Sequence, residues 1–170
     1  MPIRTLCLTS VLALSAGAAL ADTSFNRIAS FATPLNMAEG EDKARTSSAE
    51  IISATEDGMV LVYTDSPLGV VGRIDISDPA APKPLGNVAV DGEPTSVTVL
   101  GNHAFVGVNT SESFTNPSGK LVVLDAVSGE IAQECDLGGQ PDSSALAKDG
   151  SFVAVAIENE RDEDAGDGRV

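Results

Sequence analysis

The residues best suited to chemistry stand near the end of the chain, in the run E-N-E-R-D-E-D-A-G-D-G from Glu158 to Gly168. Calcium takes roughly six to eight oxygen ligands from carboxylates and carbonyls. Glu158, Glu160, Asp162, Asp164 and Asp167 supply such oxygens, and two glycines allow tight bends. These five residues are therefore the expected metal ligands, with Ca2+ as the expected ion. Asp162, Asp164 and Asp167 do not follow the alternating positions of an EF-hand loop. The alternative is a solvated acidic loop that keeps the protein soluble. Thr64-Asp65-Ser66 places a hydroxyl beside a carboxylate, but a phosphorylatable serine of the zinc-dependent kind needs clustered His and carboxylate ligands. The chain has one His. Asp65-Ser66-Pro67 reads as a turn capped by side-chain oxygens. His103 reads as an exposed turn residue, and Arg161 as the partner of its neighbouring carboxylates. No G-x-S-x-G, phosphate-binding loop or dinucleotide fingerprint occurs.

Length and charge narrow the classes. The chain has 170 residues and a formal net charge of −15. So acidic a chain is unsuited to nucleic acid or anionic lipid and suits a cation, a basic partner or simple solubility. Residues 1–21 have the form of an export signal: Arg4 is the positive region, Leu6 to Leu20 carries no charge, and Ala19-Leu20-Ala21 is a small-x-small cleavage site. That apolar run is shorter than the ~20 residues of a membrane span. The expected address is periplasmic or secreted, with Asp22 as the first mature residue and no span after cleavage. Only Cys135 remains beyond the signal, which excludes an internal disulfide. Its phase with Ile131 and Leu137 predicts a small core residue.

The elements that position these groups repeat. Gly92 to Thr110 aligns without a gap on Gly139 to Ile157: Gly92 with Gly139, Pro94 with Pro141, Ser96 with Ser143, Phe105 with Phe152, Val106 with Val153. A period of about 45 residues is that of a propeller blade. An earlier unit fits the same frame, with Asp57-Gly58 on Asn102-His103 and Val60 on Phe105. Each unit holds short β-rich runs separated by turn residues. Strands are expected at 49–54, 59–64, 70–76, 85–90, 96–100, 103–109, 120–125, 131–137, 143–147 and 152–157. Phe25 to Ala32 reads as a further isolated strand, and Pro34 to Ser48 as a polar loop. The expected fold is all-β: a β-propeller fragment of about two and a half four-stranded antiparallel blades after the signal. Its blades span about 49–91, 92–138 and 139–170, behind an N-terminal strand and loop at 22–48. A propeller closes with roughly four to eight blades. The chain is therefore expected to be the N-terminal part of a longer protein.

The pattern G-x-P-x-S, then D-G or N-x, then F-V-x-V, then K-L-V-V-L-D resembles the YVTN/LVIVD type of bacterial β-propeller repeat. Y-T-D-S-P-L-G at Tyr63 to Gly69 and A-I-E-N-E-R-D-E at Ala156 to Glu163 resemble exported bacterial propellers of the phytase-like group. Members of that group are described as phytase-like esterases, choice-of-anchor proteins or alkaline phosphatases. The resemblance implies a propeller from Ala49 to Val170. In a phytase-like member, Ca2+ would neutralise a phosphorylated substrate and activate water.

Propeller topology predicts that loops between second and third strands share a rim with the connections between blades. That rim would gather Asp65, Ser66, Glu112, Asn116, Glu158, Glu160 and the acidic residues that follow, with Asp91, Glu93 and Asp142 from the connections. Two functions follow. The first is an exported scaffold that binds a protein or polymer through the acidic rim. The second is a calcium-dependent phosphatase or esterase acting on a phosphorylated small molecule, its catalytic residues largely beyond residue 170.

Overall fold

The computed structural model describes residues 25–160; the expected signal peptide at 1–21 lies outside them. Ten strands follow in sequence: β1 (Ile52–Ala54), β2 (Val60–Asp65), β3 (Val70–Asp75), β4 (Lys83–Ala89), β5 (Glu93–Leu100), β6 (His103–Asn109), β7 (Gly119–Asp125), β8 (Ile131–Asp136), β9 (Pro141–Leu146) and β10 (Val153–Ile157). They build two four-stranded sheets, β1-β2-β3-β4 and β5-β6-β7-β8, and a two-stranded sheet of β9 and β10. Every pairing is antiparallel between chain neighbours. The first strands β1 and β9 both pack on β5, so successive sheets meet along their inner edges. This is the blade arrangement of a β-propeller fragment. Among the described residues no helix is long and apolar enough to cross a membrane.

Strand alternation decides which face meets which neighbour. Val62 pairs with Arg73 and Thr64 with Val71, and these share one face of the first sheet. Val62 and Val71 join Val97, Val106, Val108, Val122 and Leu124 in one core between the first and second sheets. The opposite face of the second sheet carries Gly107, where an added Cβ would stand 3.1 Å from Pro141 Cβ. There the third sheet packs. Thr95 Oγ1 ties that joint by donating to Pro141 O at 2.7 Å.

Two expectations need correction. Residues 25–32 form no strand. Ile28 and Phe31 instead lie with Leu61, Ile74, Ile76 and Pro82 around an apolar groove of ≈ 260 Å³ against the first sheet. Ala29 and Phe31 are half-buried there, while Phe25 and Ile28 remain exposed. The following loop holds a 3₁₀ turn at Thr33–Asn36, whose Asn36 is buried. Cys135 is not in the core. It is half-buried on β8, the outermost strand of its sheet, and Gln133 Nε2 donates to its Sγ at 3.3 Å. A register shift in β8 breaks the alternation as well: Cys135 pairs with Leu121 and Ile131 with Leu124, on opposite faces of the sheet.

Candidate functional site: an acidic cleft between two sheets

The turns and loops separate to two ends of the sheets. At one end the tight turns meet: Glu56 N donates to Gly101 O at 3.3 Å, and Ala126 N to Asn102 O at 2.7 Å. A cleft of ≈ 380 Å³ lies there between Glu56, Gly101, Lys148 and Asp149. At the other end the inter-sheet connections meet the loops after β2 and β6. Val90 N donates to Gly69 O at 3.3 Å, and Leu137 N to Gly119 O at 2.9 Å.

The acidic cleft opens at this second end, between the second and third sheets. Glu93 and Asn109 line one wall; Gln140, Asp142, Glu158 and Glu160 line the other, around ≈ 170 Å³. It continues past Ser111, Glu112 and Phe114 into a wider recess of ≈ 500 Å³ that shares Glu93, Gln140 and Glu160. Four carboxylates line the cleft and Glu112 joins Glu93 and Glu160 in the adjoining recess; among the described residues no Lys or Arg lines either. Among the described residues the one ion pair is Lys120 with Glu134, at 2.9 Å and outside the cleft.

Local chemistry holds the walls. Gly92 has φ 154, and an added Cβ would stand 2.7 Å from both Asn109 O and Val108 Cγ1, so only glycine lets the connection press onto β6. Glu93 follows directly. Gln140 is buried and clamps the far wall: its Oε1 accepts from Glu160 N at 2.8 Å, its carbonyl accepts from Glu158 N at 2.9 Å, and its N–H donates to Asn159 Oδ1 at 3.1 Å. The loop after β6 is closed on itself by Thr110 N to Ser118 O at 3.1 Å and Ser118 N to Ser111 Oγ at 2.9 Å. Phe114 stands exposed at its tip.

Glu93, Glu112, Asp142, Glu158 and Glu160 therefore come together as the repeat topology leads one to expect. Asp65 does not join them. It is buried, accepting from Ser47 Oγ at 2.5 Å, Ser48 N at 3.1 Å and Leu68 N at 3.3 Å. Its carboxylate caps the turn Ser66–Leu68, which agrees with the turn reading of Asp65-Ser66-Pro67. Ser66 Oγ sits 2.6 Å from Glu50 Oε2 and 2.9 Å from Pro94 O, with no imidazole beside it in either contact. His103 is exposed at the start of β6. Of the five expected calcium ligands, Glu158 and Glu160 line the cleft, while Asp162, Asp164 and Asp167 lie outside the described residues. Among the described residues no three His, Cys, Asp or Glu side chains converge on one metal position. Sequence reasoning missed Gln140 and Phe114. Gln140 was within reach, because it occupies the repeat position of Glu93.

Comparison with known proteins agrees with this architecture. The family model of the choice-of-anchor I domain matches residues 50–169. No curated protein sequence matches the chain. Among solved structures, the hydrazine synthase of Kuenenia stuttgartiensis is similar at a TM-score of 0.56 and 16% identity, over 66% of this chain and 30% of that one. A luciferin-regenerating enzyme is similar at 0.47 and 16%, over 68% and 41%. The β-propeller domain of Cps50 (Swd1) from Myceliophteria thermophila is similar at 0.41 and 14%, over 65% and 49%. The chain thus spans less than half the length of each of these structures, and at such identities the first supports the fold alone.

Proposed function

The chain belongs to the choice-of-anchor I domain family, and from that premise we propose that it is an exported β-propeller binding module whose acidic cleft takes a basic segment of a partner protein or polymer. The observation that carries this reading is the convergence of Glu93, Glu112, Asp142, Glu158 and Glu160 on two adjoining recesses whose described lining residues include no cation. Like charges held together in a concave site raise the local negative potential and attract cations. A phosphorylated small molecule is repelled by the same field. The exposed Phe114 ring beside Glu112 adds a face for an Arg or Lys head group. Export rests on the signal-like residues 1–21, with the periplasm or the medium as the destination.

Calorimetry tests the reading. A Lys- and Arg-rich peptide is titrated into the wild-type chain and into a Glu93→Gln, Glu160→Gln variant. The expected loss is about tenfold in affinity, which corresponds to ~1.4 kcal/mol, with further weakening at high salt. Equal binding by both forms would sink the reading. The calcium site at Glu158, Glu160, Asp162, Asp164 and Asp167 is a second use of the same carboxylates. Titration of Ca2+ into wild type and into an Asp162→Asn, Asp164→Asn, Asp167→Asn variant decides it, since unequal binding is required. The phytase-like alternative predicts phosphate-ester hydrolysis by the whole protein that a chelator abolishes.

A further inference from the structure

The walls of the acidic cleft hold side-chain amides as well as carboxylates. Asn109 and Gln140 line both adjoining recesses, in company with Glu93 and Glu160. Each amide has its oxygen committed to a backbone N–H of the wall. Gln140 Oε1 accepts from Glu160 N at 2.8 Å, and Asn109 Oδ1 accepts from Ser111 N at 3.0 Å. Only the oxygen of an amide can accept, so these bonds fix which way each group is turned. The NH2 of each is left over. Among the described residues nothing accepts from Gln140 Nε2 or Asn109 Nδ2. Gln140 is 6% exposed and Asn109 is half-buried. A donor so sheltered and unpaired costs free energy until a ligand supplies its acceptor.

The walls themselves do not require amides. A carboxylate oxygen would accept from the same N–H groups, and the repeat position of Gln140 does carry a carboxylate in the preceding unit, at Glu93. An amide in place of an acid adds a donor and takes away a charge. The cleft is thus not built for negative charge alone. A polyamine satisfies the carboxylates but brings only N–H donors, which leaves both NH2 groups facing groups of their own kind. A peptide brings both halves: a carbonyl acceptor at every residue and a cationic head group wherever that residue is Lys or Arg.

We infer that Gln140 and Asn109 read the main chain of the bound segment. Their NH2 groups donate to its carbonyl oxygens while Glu93 and Glu160 hold its cationic side chain, so the ligand is a basic peptide and not a free polyamine. The inference rests on the acidic cleft as the binding face. Calorimetry compares a capped Gly-Arg-Gly peptide with agmatine, which carries a guanidinium and an ammonium but no carbonyl. Both are titrated into the 170-residue chain and into Asn109→Asp and Gln140→Glu variants. Each substitution keeps the oxygen that accepts from the wall and exchanges the NH2 for a second acceptor. Agmatine has the higher charge, so a cleft acting by its field alone binds it at least as tightly as the peptide. The expected result is a wild-type preference for the peptide of about tenfold, abolished in either variant as peptide affinity falls and agmatine affinity holds or rises. Asn109→Asp carries the test should a carboxylate at the buried position 140 unfold the third sheet. Equal binding of the two ligands by wild type, or tighter binding of both by the variants, would overturn the main-chain reading and leave the acidic cleft standing. Binding of neither would remove the cleft with it. A glucosamine trimer bound more tightly than the peptide would also overturn the inference, since its acceptors are hydroxyls.

Discussion

Arg73 carries its guanidinium into the joint between the first and second sheets. Nη1 donates to Val127 O at 2.6 Å and Nη2 to Leu85 O at 2.7 Å, so one side chain ties a turn of the second sheet to the outer strand of the first. Burial pushes its pKa down and the nearby Asp125 opposes that shift; an arginine keeps its charge regardless. Arg73→Ala leaves two carbonyls without their donor and should destabilise the fold by about 2 kcal/mol, read as a lower urea midpoint. Tyr63 gives a second expectation with a definite sign. Desolvation raises its pKa above 10.0, the Asn36 hydrogen bond opposes, and Asp65 adds to the rise. The stability it contributes is fully present below the ordinary tyrosine value and is lost as pH rises through the raised one. Tyr63→Phe should remove that alkaline slope at a cost of about 1 kcal/mol. The turn aspartates behave oppositely. Asp57 is lowered chiefly by the Thr55 hydroxyl, Asp149 by the Ser151 hydroxyl and Asp125 by the Ser128 N–H. Their contribution is present above 3.8, the ordinary carboxylate value, and disappears as pH falls through the lowered values. An acid titration of the fold should show it.

At the scale of the element, glycine sets how closely the parts approach. Gly72 lies under the Tyr63 ring, and an added Cβ would overlap Cζ and Oη of that ring. Gly72→Ala should therefore dislodge Tyr63 from Asn36 and cost ~2 kcal/mol, with tyrosine absorbance reporting the displacement. Gly72→Ala in a Tyr63→Leu background should cost much less. The strands were legible where Asp-Gly, Asn-His and Ser-Gly turns bound β-branched runs: β6 was expected at 103–109 and forms at His103–Asn109, whereas away from those turns the bounds shift, with β1 beginning at Ile52 rather than 49 and β5 at Glu93 rather than 96. The segment at 25–32 misled because alternation alone does not say whether a partner edge exists. Ile28 and Phe31 find a sheet face instead. Cys135 misled for two reasons: a register shift in β8 puts it on the face opposite to Ile131, and β8 is the outermost strand of its sheet.

At the scale of the molecule, the repeat dictates which loops share an end, and that is enough to group Glu93, Glu112, Asp142, Glu158 and Glu160. It did not reveal the inward turn of Asp65, because the Ser47 and Ser48 contacts that bury it lie outside the repeat. Nor did it reveal Gln140 as a clamp, since Glu93 and Gln140 share a repeat position yet one is exposed and the other buried. The joint between second and third sheets holds the cleft's two walls in register through Thr95. Thr95→Val should loosen it by about 1 kcal/mol and weaken basic-peptide binding without touching a carboxylate. The most direct measurement is an NMR titration of the isotopically labelled chain with a short Lys- and Arg-rich peptide. The expected result is amide shifts confined to Glu93, Asn109 to Phe114, and Gln140 to Asp142 with Glu158 to Glu160. Shifts at the Asp57, Asn102 and Asp149 turns instead, or none at all, would contradict the acidic cleft as the binding face.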